Sequence, residues 1–198
     1  MNAPTQVLPA GYVQSEEINL KKNKRLTMLL SLIALFVFVA SFMLLSIFVS
    51  RVRFGVTSVS GDVSLGVVLM LLVLTVMILI VHELIHGFFF WMFSRSRPVF
   101  GIQLMYAYAG APTWFFPRSQ YAITALAPLV IIGVVGLFLM LLVPLWWLLM
   151  IAFLVALNTS GAVGDVFVFI RLLKSSPSSF ANDTGDVVTF YERPVVVA

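Results

Sequence analysis

The chain has 198 residues, of which 61% are hydrophobic and 10% charged, with a formal net charge of +4 and no cysteine. Soluble domains carry about a quarter charged residues, so this composition excludes a soluble enzyme and a disordered chain. The lack of cysteine excludes disulfides, iron–sulfur clusters and thiolate zinc sites, and the basic excess reads as a membrane-topology signal rather than a nucleic-acid footprint.

Residues 1–25 are polar and end in the basic run Lys21, Lys22, Lys24, Arg25. No charge occurs from Thr27 to Ser50. This stretch predicts a helix of about 36 Å, enough to cross the hydrocarbon core. The apolar region of a signal peptide is shorter, about 7–15 residues, so the segment is read as a retained span. A polar loop over 51–64 holds Arg51, Arg53 and Asp62, and Ser64 or Asp62 is placed to cap the next helix. The second apolar run, Leu65 to Phe93, is interrupted only by His82, Glu83 and His86.

Residues 94–120 form a longer connection rich in aromatics, with partial alternation from Gly101 to Gly110. Two readings stand side by side. One is a short hairpin dipping toward the membrane, whose edge would take an extended peptide by strand addition. The other is an interfacial loop anchored by its aromatic side chains. A third span runs from about Tyr121 to Val143, kinked by Pro128, and Pro144 marks a turn. A fourth runs from about Leu145 to Leu173, opening with Trp146 and Trp147 as interfacial anchors.

The expected architecture is all-α, a polytopic membrane protein with four transmembrane helices and a short membrane-associated hairpin between spans two and three. Its expected divisions are a cytoplasmic segment over 1–25, a four-span metallopeptidase domain over 26–174 and a cytoplasmic tail over 175–198. Lys21, Lys22, Lys24, Arg25, Arg95, Arg97, Arg118, Arg171, Lys174 and Arg193 fall on one side of such a topology, and only Arg51 and Arg53 on the other. The positive-inside rule then puts both termini in the cytoplasm.

The chemistry is concentrated in His82-Glu83-Leu84-Ile85-His86. On a helix, positions i and i+4 stack one turn apart on one face. Two imidazoles so placed share one zinc ion at about 2.0–2.1 Å. Glu83 lies about 100° around the helix from His82. It reaches a zinc-bound water without displacing a ligand, which suits a general base. These are the only histidines in the chain. They share an apolar span with a carboxylate, where unpartnered ionisable groups cost several kcal/mol, so a metal is expected there.

Zinc needs a third protein ligand and an open position. Six of the eight acidic residues, Glu16, Glu17, Asp62, Asp183, Asp186 and Glu192, read as loops or tails, and Glu83 belongs to the motif. Asp165 remains. By helical rise, His82 and His86 lie about 26 and 32 Å along span two, and Asp165 about 30 Å along span four. The depths match, near the cytoplasmic side. The alternative for Asp165 is a carboxylate that caps a helix or pairs with Arg171. Asn158 faces nearly the same way two turns earlier. It is either a donor to a substrate carbonyl or oxyanion, or an interhelical hydrogen bond with no catalytic part.

These residues resemble the site-2 protease class of intramembrane metalloproteases. More closely, the chain resembles a family of small bacterial membrane proteins known as putative zincin peptidases. The residues that carry the likeness are Leu8-Pro9-Ala10-Gly11-Tyr12, the basic run before span one, His82-Glu83-Leu84-Ile85-His86-Gly87 and Gly164-Asp165. Unlike most site-2 proteases, the chain has Val166 after the aspartate and no proline between Asn158 and Asp165. The resemblance implies one zinc at His82, His86 and Asp165, with Glu83 as catalytic base, in a bacterial inner membrane. The expected activity is hydrolysis of transmembrane or membrane-proximal polypeptides, with the lipid bilayer as the other partner and no nucleic acid. The rival reading is a non-proteolytic metal sensor or scaffold. A metal transporter would need several polar sites across the bilayer, and the spans offer one cluster.

Overall fold

The structure, a computed structural model, describes residues 3–56, 64–102 and 107–194, with Trp146 described by its backbone alone. Asp62, one of the two expected caps, and residues 103–106 of the expected hairpin lie outside the described residues. The elements are β1 (Val13–Asn19), α1 (Lys24–Phe54), α2 (Leu65–Ser94), β2 (Val99–Ile102), β3 (Ala107–Gly110) and β4 (Phe115–Pro117). They continue with α3 (Arg118–Leu142), α4 (Leu145–Gly161), α5 (Val163–Lys174), β5 (Phe180–Asp183) and β6 (Val187–Glu192).

The chain is mostly helical, but the all-α expectation is corrected: the described residues include six strands in two sheets. β1, β6, β5 and β4 form an antiparallel sheet in that order. The physical reason lies in the polar ends of the chain. Val187-Val188-Thr189-Phe190-Tyr191 is β-branched and aromatic, which favours strand over helix. Gly185, at φ 88°, makes the turn back to β5. The second sheet pairs β2 with β3, with Val99 opposite Gly110 and Ile102 opposite Ala107, so the 94–120 connection holds a hairpin.

α1, α2 and α3 are each long and apolar enough to cross a membrane. The fourth expected span is broken: α4 and α5 qualify only as a pair, bent by 41°. The spans therefore number three, or four if the bent pair counts as one. Large apolar side chains such as Phe36, Leu72 and Phe138 stay exposed along these helices, as lipid-facing surface would be. Ser64 caps α2 as expected, its Oγ accepting the Val67 amide at 3.3 Å.

The chain divides into two compact units. The first comprises Met1–Met28, Glu83–Ala127 and Gly164–Ala198. Its core joins the sheet to helical segments through Phe90, Phe116, Tyr121, Leu172 and Phe190. Arg118 spans to the carbonyls of Leu173 and Ser175 at 2.9 and 3.0 Å, which closes the C-terminal end of α5. The second unit comprises Leu29–His82 and Pro128–Val163. Its core is Val49, Met140, Leu148 and Ala152. There Arg53 donates to the carbonyls of Met140 and Val143, at the end of α3.

Candidate metal centre

The His82–His86 motif lies inside α2, on unbroken helix, as its spacing predicts. Both imidazoles are buried, each residue 8% exposed, and Glu83 between them is half-buried. The boundary of the two units falls between His82 and Glu83. Helix continuity is thus what holds His82 one turn from His86.

Asp165 lies in the first turn of α5. Free backbone amides and the helix dipole favour a carboxylate at that position. The break at Ala162 creates this helix start inside what the sequence reads as one span. Asp165 Oδ2 stands 3.5 Å from His86 Nε2. Candidate ligand atoms of His82, His86 and Asp165 lie within 4.8 Å of one another. Two ligands of a tetrahedral zinc at about 2.0–2.1 Å are separated by about 3.4 Å, so the His86–Asp165 pair already has the right spacing.

The bonds behind the histidines fix which ring nitrogen is available. His86 Nδ1 lies 2.9 Å from the Thr124 main-chain oxygen. A carbonyl only accepts, so Nδ1 carries a hydrogen, and in the neutral ring Nε2 is the nitrogen that keeps the lone pair. Asn158 Nδ2 donates to the Pro128 carbonyl at 3.3 Å. That bond fixes the orientation of the carboxamide, since Pro128 can only accept there. Asn158 Oδ1 then faces His82 Nδ1 at 2.9 Å and accepts its hydrogen. His86 Nε2 facing a carboxylate oxygen suits a positive charge between them, a proton or a metal ion. Two neutral imidazoles and one carboxylate form a donor set that fits zinc, and both rings are held from behind.

The sequence singled out Asn158 for a substrate contact or an interhelical bond; here its side chain bonds His82 and the Pro128 carbonyl. Sequence reasoning missed the Thr124 carbonyl, because a main-chain acceptor has no side-chain signature. It also passed over Tyr121 and Asp183. The Tyr121 hydroxyl donates to Asp183 Oδ2 at 2.6 Å, and Asp183 Oδ1 accepts the Gly185 amide at 2.7 Å. Burial raises the Asp183 carboxyl from 3.8 to about 6, against the opposing pull of those two donors. The signal available was an aspartate two residues before a turn glycine, Asp183-Thr184-Gly185.

No curated protein and no solved structure matches the chain. A comparison with protein-family models matches residues 75–180 to the family described as putative zincin peptidase. The matched stretch takes in both histidines, Glu83, Asn158 and Asp165, and covers more than half of the sequence; the chain belongs to that family.

Proposed function

We propose that this protein is a zinc-dependent intramembrane peptidase. It hydrolyses peptide bonds of transmembrane or membrane-proximal polypeptides, in a bacterial inner membrane with both termini in the cytoplasm. The observation that carries the reading is the pair of buried His86 and half-buried Asp165 at 3.5 Å beside His82, the histidines standing on a helix whose apolar faces suit lipid. His82, His86 and Asp165 hold one zinc ion. Zinc there supplies a Lewis acid that polarises a scissile carbonyl and makes water acidic enough to react near neutral pH.

The chain's own groups do the rest. Glu83, adjacent to His82, accepts the proton of the attacking water and returns it to the leaving nitrogen. His82 and His86 hold their Nδ1 hydrogens on Asn158 and Thr124, so neither ring turns away. Asn158 therefore acts as a positioning residue. Burial of both rings limits bulk water around the reacting bond.

The test is cleavage of fluorescein-labelled casein and of a labelled single-span helix by purified protein in detergent. Cleavage that a chelator stops and zinc restores, absent in Glu83→Gln with zinc still bound, is the expected result. Cleavage by Glu83→Gln at the wild-type rate would overturn the mechanism. Zinc-loaded protein that cuts neither substrate would favour the metal-binding scaffold.

A further inference from the structure

Of the two bonds behind the histidines, that of His86 ends on α3 at Thr124, and that of His82 ends on Asn158 of α4, whose side chain in turn bonds Pro128 of α3. Pro128 lies inside α3 and has no amide hydrogen. In a regular helix the carbonyl of residue 124 would accept from the amide of residue 128. Here that carbonyl is released within an apolar helix, where water offers no replacement donor. His86 Nδ1 supplies one, at 2.9 Å. The Pro128 carbonyl in turn accepts from Asn158 Nδ2, and Asn158 Oδ1 accepts from His82 Nδ1. Thr124 and Pro128 are one turn apart on α3, as His82 and His86 are on α2.

We infer that Pro128 is a positioning residue of the metal site. Its missing amide frees the Thr124 carbonyl that fixes His86, and its own carbonyl orients Asn158, which fixes His82. One residue thereby sets both rings with Nδ1 as the donor, so that Nε2 is the nitrogen each neutral ring offers a metal. The inference rests on the zinc-site reading above. A proline that only bends α3 for packing would make a different prediction: zinc affinity and fold stability would move together when it is replaced.

Pro128→Ala separates the two roles in the full chain in detergent. Alanine restores the amide, which competes for the Thr124 carbonyl. The readouts are zinc affinity by competition with a chromophoric chelator, the visible spectrum of the cobalt-substituted protein, and melting of the metal-free protein. Zinc affinity should fall about 10–100-fold, the usual cost of losing an outer-shell partner. The cobalt spectrum should change in shape. The metal-free protein should melt no lower than wild type, because proline disfavours a helix interior. Wild-type zinc affinity, or an affinity loss matched by lower metal-free stability, would overturn the inference. If Pro128→Ala does not fold, Asn158→Ala leaves the α3 backbone intact and removes the bond to His82 together with that to the Pro128 carbonyl. It should lower zinc affinity without altering the cobalt-free fold, and wild-type affinity there would overturn the proposal. Wild-type protein that binds no zinc would instead sink the peptidase reading, so the two failures are distinct.

Discussion

His86 Nε2 and Asp165 Oδ2 face each other at 3.5 Å, from the last third of one apolar helix to the first turn of another. Metal analysis of detergent-purified protein should find one zinc per chain in wild type and none in His86→Ala or Asp165→Ala. Zinc retained in Asp165→Ala but lost in His86→Ala would mean that another group completes the site.

Glu83 differs from the two histidines in what its loss should do. It holds no ligand position in the proposed site, so Glu83→Gln should keep the metal. General-base catalysis is worth about 10²–10⁴-fold, and peptidase activity should fall by that order. Metal content and cleavage rate measured on the same preparation check this. A fall in both together would make Glu83 a ligand or a folding determinant.

The legible parts of the fold and site are those with a local pattern. His82, Glu83 and His86 sit on one helix, and four-residue spacing states their relation directly. Asp165 was reachable by elimination among eight acidic residues. The break at Ala162 was not, because the apolar run continues through it; Gly161 and Gly164 were its only local sign. The four-stranded sheet was hidden for another reason. β1 pairs with β6 in a register that sets Val13 opposite Glu192, from opposite ends of the chain. Strand propensity in Val187–Glu192 announces a strand but not its partner. The histidine bonds to Thr124 and Asn158 depend on tertiary placement, which no spacing rule carries.

Two glycines offer a contrast within one protein. A Cβ on Gly110 would lie 2.7 Å from the Gly185 nitrogen and 2.8 Å from the Thr184 carbonyl carbon. Both are backbone atoms of the β5–β6 turn and cannot rotate aside. Gly110→Ala should destabilise the protein by about 1–3 kcal/mol. A Cβ on Gly133, in α3, would meet nothing within 4 Å. Gly133→Ala should be neutral or stabilising by up to about 1 kcal/mol, from helix propensity alone. Thermal melts of both variants beside wild type decide the matter, and equal effects would contradict the close approach at Gly110.

Asp183 should make the protein less stable as pH rises. Its folded carboxyl titrates near 6, against 3.8 for an ordinary aspartate. Between those values the folded state binds more protons than the unfolded state, so stability declines with increasing pH. The decline begins near pH 4 and is complete above about pH 6, and amounts to at most about 3 kcal/mol. Asparagine mimics the protonated form: its Oδ1 can accept the Gly185 amide, and its Nδ2 can donate to a rotated Tyr121 hydroxyl. Asp183→Asn should therefore flatten the stability profile and melt higher than wild type at pH 7. The comparison belongs in metal-free protein, with chelator present at every pH, so that zinc release does not enter the curve. An Asp183→Asn variant that falls further below wild type as pH rises from 4 to 6, or that melts lower at pH 7, would show that the charged carboxylate is the form the fold prefers.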